Sequence, residues 1–204
     1  MDKVKIPNYS LKEELINSIS HGIGVILSII GLILIKGNNN FIMFCLMLIL
    51  LYLISTIYHA LPKTTLKKLF RVADHLCVFI LEAGTFTPVC LVMIKGKVGI
   101  IYLSFIWLIT FIFIFLNIAS VDKYNKVSLL FHLIMGWSVL FFYKTIINNT
   151  NTSTLLLLII GGLVYSIGAI FYKLGNNIRY MHSLFHFFCL FGSLIHYLMF
   201  YNLK

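Results

Sequence analysis

Charge is what this sequence has least of. Only 11% of its 204 residues are charged and only six are acidic, where a soluble domain is about 25% charged. With 60% of its residues apolar, the chain has too little polar surface to cover itself in water, which excludes a soluble globular protein. Paired cysteines are missing as well. The four that occur, Cys45, Cys77, Cys90 and Cys189, form no C-x-x-C pair and all fall inside apolar runs. That excludes a disulfide framework and a thiolate zinc site, and reads as small buried hydrophobes.

What is present is a succession of apolar runs of about 20 residues, the length that crosses a bilayer as a helix. Residues 19–35, 41–59, 74–94, 98–119, 127–147, 155–172 and 180–201 read as spans. Leu61-Pro62 stops the second, because proline cannot continue the hydrogen-bond ladder, and Pro88 lies inside the third. The expectation is an all-α membrane protein: one bundle of seven transmembrane helices covering residues 1–204, with a short polar segment at 1–18. The first apolar run contains His21 and has no small-residue cleavage pattern at its end, so it reads as a retained helix. The glycines within the spans read as points of close helix approach.

The net charge of +10 does not point to nucleic acid. The 16 Lys and Arg are scattered between apolar runs, and membrane orientation explains them better than a phosphate-binding face. Eleven fall in four stretches on one side (3–12, 63–71, 123–126 and 173–179); Lys36, Lys95, Lys97, Lys144 and Lys204 fall on the other. The positive-inside rule then puts the N-terminus in the cytoplasm and the C-terminus outside.

Ionisable groups inside spans are costly, so each needs a reason. His59 ends the second span, Asp74 begins the third, and His182 and His186 begin the seventh. This topology puts all four at one membrane depth. His182 and His186, at i and i+4, share a helix face and can share a metal. With His59 they make a three-histidine zinc site with one open position, the form that catalytic zinc takes. Asp74 beside that position can hold and activate a water. Ser55 stands one turn before His59, about 6 Å deeper. Against this, a histidine near a membrane interface also serves as an amphipathic anchor, and one H-x-x-x-H alone is weak evidence. His21 is a candidate to support the site from outside it. His75 points about 100° away from Asp74 and reads as packing. His132 carries little weight as a site residue, and His196 reads as hydrogen-bonded within the bundle.

Three blocks resemble a known family. Ser55-Thr56-Ile57-Tyr58-His59 is similar to S-x-x-x-H at the end of a second helix. Asp74-His75 with Ala83-Gly84-Thr85-Phe86-Thr87-Pro88 is similar to D-H and A-G-T-Y-T-P in a third. His182-Ser183-Leu184-Phe185-His186 matches H-x-x-x-H in a seventh, and Glu14, Asn17 and His21 resemble the polar start of a first helix. These are blocks of the hemolysin III family, part of the progestin and adipoQ receptor superfamily, which is also grouped with alkaline ceramidases. The resemblance covers essentially the whole chain. It implies seven helices, a cytoplasmic N-terminus, zinc on His59, His182 and His186, Asp74 holding a zinc-bound water, and Ser55 supporting it. Glu82 departs from the family pattern, where an aliphatic residue is expected; it reads as a buried acid paired with another helix, or one that reaches the cavity.

Three functions remain open from the sequence. The first is a zinc-dependent hydrolase of a lipid amide or ester, with Asp74 as general base and then general acid. The second is a channel-forming cytolysin, as the family name implies. The third is a receptor or regulator of membrane lipid state with structural zinc. Membrane lipid is the expected substrate or ligand, and the plasma membrane the expected location.

Overall fold

The computed structural model describes residues 4–35 and 41–203. Lys3, Lys36 and Lys204, three of the charges used to orient the chain, lie outside the described residues. Among the described residues every regular element is helical. We label α1 Leu11–Leu34, α2 Ile42–Ala60 and α3 Thr65–Pro88, which continues as a π-wound turn, Val89–Ile94. A long helical stretch, Gly96–Ser138, runs through a 3₁₀ turn, Val139–Phe142, into Tyr143–Asn149. After it come α6 Thr152–Leu174 and α7 Met181–Tyr201.

Six of these stretches are long and apolar enough to cross a membrane, the longest being Gly96–Asn149. That one is not straight. Ser120 has an extended backbone (φ −168°, ψ 98°) between helical neighbours, and the chain folds back there. The Asn117 amide donates to Ser128 Oγ at 2.9 Å, Phe113 stacks on Phe131 with centroids 3.9 Å apart, and Tyr102 hydrogen-bonds Ser138. On one straight helix Tyr102 and Ser138 would stand about 54 Å apart. This stretch is therefore described as two antiparallel limbs, 96–119 (α4) and 121–149 (α5), where the sequence led us to expect a fourth and a fifth span; the stretches long and apolar enough to cross number six among the described residues, against the seven expected.

The membrane reading is visible in which side chains face out. Ile101, Leu108, Phe115 and Phe141 are exposed, Phe141 by 87%, while Asn17, His59, Lys67, Arg71 and His186 are buried. Apolar outside and polar inside suits a hydrocarbon solvent, where a charge must find its partner within the bundle. All four cysteines are free and buried, as expected.

Two helices start earlier than the apolar runs. α1 begins at Leu11, not residue 19, because Ser10 and Glu13 form a capping box over its first turn. α3 begins at Thr65, not residue 74, capped by the Thr64 hydroxyl. Its first turns are polar, yet Lys67 and Arg71 are buried; burial in the bundle, not hydropathy, sets the start. Asn148–Thr154, read as a loop, instead ends α5 at Asn149 and caps α6 through the Asn151 side chain. Pro88 does not break the third span, which rewinds into the π turn that often accompanies lost ladder bonds.

The polar stretches assigned to one side of the membrane do gather at one end. Lys5 N donates to Asp122 Oδ2, Arg71 pairs with Asp122 at 2.8 Å, Lys63 bonds Asn8, and Tyr180 N donates to Glu13 Oε1. If α4 and α5 fold back at Ser120, cysteines placed at Asn117 and Ser128 in a background lacking the native four will oxidise to an intrachain disulfide. A straight helix would hold them about 16 Å apart, beyond disulfide reach, and mobility on a non-reducing gel distinguishes the two.

Candidate metal centre

The end of the bundle that collects the charges also collects the histidines. α2 delivers His59 in its last turn, and α7 delivers His182 and His186 in its first two. α7 is aimed by an unusual start: Tyr180 has a left-handed backbone (φ 63°), which costs a non-glycine residue about 1–2 kcal/mol. Glu13 Oε1 holds the Tyr180 amide at 2.8 Å, and Gly175 in the α6–α7 turn lies so close to His182 that a Cβ there would meet the His182 backbone nitrogen at 2.9 Å.

All three histidines are buried, and one ring nitrogen from each lies within 4.8 Å of the others. His182 Nε2 and His186 Nε2 are 3.2 Å apart. Two nitrogens bound at about 2.0–2.1 Å to one tetrahedral ion would be about 3.3 Å apart, so this pair already has a ligand-like separation. His59 contributes a stronger sign. Its Nδ1 is taken by Glu14 Oε2 at 2.7 Å, while its Nε2 is buried without a hydrogen-bond partner. A buried orphan nitrogen is expensive, and a metal ion between the three rings satisfies it. The cluster can hold a metal ion.

The surroundings match what metal-binding histidines need. A carboxylate on the distal ring nitrogen fixes the tautomer and the ring orientation, and Glu14 does this for His59. Glu14 Oε1 in turn pairs with Lys67 Nζ at 2.8 Å; Lys67 is 1% exposed and also donates to the Leu61 carbonyl at 2.9 Å. Asn17 lies on the same side, its amide nitrogen 3.5 Å from His59 Nδ1 and its oxygen accepting from Ser183 at 2.6 Å. Ser20 Oγ lies 3.4 Å from His186 Nδ1. His21 stacks flat on His186 (centroids 3.6 Å, 14°) with both its ring nitrogens unpartnered. Over the top, Tyr9 stacks on His182 at 4.9 Å, and burial pushes the Tyr9 phenol well up, so that it covers the cluster as a neutral ring.

Beneath the histidines a cavity of about 260 Å³ runs into the bundle. Asp74, Ser55, His182 and His186 share its wall. Asp74 is half-buried, and Ser55 Oγ is buried with no hydrogen-bond partner. All five residues singled out from the sequence thus meet in one place. His75 lines the cavity edge-on to Tyr172. His196 bonds the Leu158 carbonyl at 3.3 Å, inside the bundle as expected. Glu82 is paired with another helix, its Oε2 2.6 Å from His132 Nδ1 of α5, and both also line the cavity. Sequence reasoning missed Lys67 and Tyr9. Lys67, Arg71 and Asp74, at i, i+4 and i+7, share one face, a signal hidden by starting α3 at residue 74. Tyr9 carried no signal.

The profile of the family described as haemolysin-III related matches residues 9–197. The chain is 36% identical over 193 residues to Hemolysin-3 of Bacillus cereus, covering 90% of this chain and 88% of that protein. It is 34% identical over 195 residues to the Hemolysin-3 homolog of Bacillus subtilis (strain 168), covering 91% of each. It is 28% identical over 155 residues to the monocyte to macrophage differentiation factor of Homo sapiens, covering 72% of this chain and 63% of that protein. No solved structure matches.

Because Glu14 acts through His59 without being one of the converging ligands, Glu14→Ala will keep the binding stoichiometry but weaken affinity about 10–100-fold. Titration of the purified protein with cobalt(II), followed by its visible absorption, checks this. Unchanged affinity would mean the Glu14–His59 contact does not serve a metal.

Proposed function

The chain belongs to the haemolysin-III related family, and from that membership and the histidine cluster we propose that it is a zinc-dependent hydrolase cleaving an amide or ester bond of a membrane lipid. The observation that carries the reading is the buried, unpartnered His59 Nε2 facing His182 and His186 beside the Asp74 cavity. Three imidazoles with room for a fourth ligand suit catalytic zinc better than a closed structural site. Bound there, zinc supplies Lewis-acid polarisation of a carbonyl and acidification of water.

The remaining work falls to the chain. Asp74 takes the proton of the attacking water and returns it to the departing amine or alcohol, the ordinary course of general base and then general acid. Ser55, buried on the same cavity wall with its hydroxyl unpartnered, is placed to orient that carboxyl. Glu14 holds His59 in the tautomer that leaves Nε2 free, and Lys67 neutralises Glu14. Tyr9 closes the cluster from the polar end and excludes bulk water. The cavity wall past Asp74, with Val78, Leu81, Leu129 and Leu133, is apolar and accepts a hydrocarbon chain. In this reading the substrate comes from the bilayer, the N-terminus lies in the cytoplasm and the protein resides in the plasma membrane.

The name of the two Bacillus relatives points to a second reading, membrane lysis through a channel. Ion conductance in liposomes that persists after all three histidines are replaced would favour it. For the hydrolase, Asp74→Asn should lower turnover of a lipid amide or ester by about 10²–10⁴-fold, the usual contribution of a positioned acid–base group, with zinc content unchanged. Equal turnover by variant and parent in purified protein removes Asp74 from the mechanism.

A further inference from the structure

The cavity contains a second polar group that the hydrolase reading does not use. We propose that Glu82 and His132 form a separate recognition site in it, which takes the protonated amine of a single-chain amphiphile. Glu82 stands eight residues beyond Asp74 on α3, about 12 Å further into the bundle. A carboxylate at that depth is costly, and such groups line functional cavities by default.

His132 satisfies only one of the two carboxylate oxygens, Glu82 Oε2. Among the described residues Glu82 Oε1 has no hydrogen bond, and it stays within reach of the cavity: the Glu82 side chain is 16% exposed and that of His132 20%. The space beside Oε1 exists because residue 136 is glycine. A Cβ there would sit 3.6 Å from Oε1, and Gly136 itself lines the cavity.

The chemistry around Oε1 selects the ligand. The walls are aromatic: Phe79 packs on the His132 ring with centroids 4.2 Å apart, and Trp137 and Tyr165 line the same cavity. A carboxylate oxygen among aromatic faces attracts a cation, through a charge-assisted hydrogen bond and through the ring quadrupoles. It repels an anion, and to a neutral alcohol it offers a hydrogen bond without the attraction of opposite charges. The apolar wall leading to it accepts an alkyl chain and has no place for a bulky headgroup. Neither Glu82 nor His132 belongs to the three-histidine cluster, so the site stands whether or not that cluster hydrolyses lipid.

The test is binding, read without turnover. Dodecylamine, dodecanol and dodecanoate are titrated into the full chain in phosphatidylcholine nanodiscs, following tryptophan fluorescence and thermal shift. The amine should bind at least about tenfold more tightly than the other two, the worth of one charged hydrogen bond. In Glu82→Gln that advantage should shrink to about twofold or less, because the neutral amide still accepts but no longer carries the charge that attracts the ammonium. Partition of the amine into the bilayer is common to both proteins and cancels. Gly136→Leu, which fills the space beside Oε1 and leaves the carboxylate, carries the same test if Glu82→Gln does not fold, and it too should lose the advantage. No amine preference in the parent, or a preference that survives in the folded variants, overturns the proposal.

Discussion

Hydrocarbon does not solvate charge, and most of this molecule's interior follows from that. An ionised side chain at the middle of a bilayer costs about 3 kcal/mol or more, so a charge that stays must be paired or must face a cavity. The charges here obey the rule: Glu14 pairs with Lys67 and Arg71 with Asp122, while Glu14 also contacts His59 and Glu82 contacts His132. The polar groups that do not obey it are informative. Among the described residues six buried side-chain atoms lack a partner; Arg71 Nη1 and Thr110 Oγ1 stand apart, while His59 Nε2, Ser55 Oγ and both nitrogens of His21 gather around the histidine cluster. Four such atoms in one place read better as a site than as poor packing.

That region is assembled from segments far apart in sequence. α1 contributes Glu14 and Asn17, α2 His59, α3 Lys67 and Asp74, and α7 both remaining histidines. Each is placed by a local device: the Ser10 capping box for α1, the Thr64 cap for α3, the Glu13 carboxylate on the Tyr180 amide for α7. Glu13 and Glu14 are sequence neighbours with different tasks. One fixes the start of α7 and the other fixes the ring of His59, so the first turn of α1 orients both histidine-bearing helix ends.

The clustered residues were legible because topology and helical spacing act together. Alternating passes put His59, Asp74, His182 and His186 at one depth, and the i, i+4 interval put two of them on one face. The ends of the helices were not legible from hydropathy. Residues 11–18 and 65–73 are polar, and they become helical through capping and burial, which an apolar run does not register. For the same reason Lys67 looked like loop charge when it is a buried partner of Glu14. The fold-back at Ser120 was legible as a polar break between apolar runs. Tyr9, stacked on His182, was not, since nothing in its local sequence marks a contact that depends on where α7 begins. Glu82 was visible as a misfit in an apolar run, but its partner on α5 follows only from how α3 and α5 pack.

The central claim is that three histidines from two helices form a metal centre. Elemental analysis of detergent-purified protein, beside the His182→Ala/His186→Ala double variant, tests it most directly. The account predicts about one zinc per chain, as for a three-histidine site, and its loss in the variant. Properly folded parent protein with no bound zinc would contradict it and leave the orphaned nitrogen of His59 to another explanation.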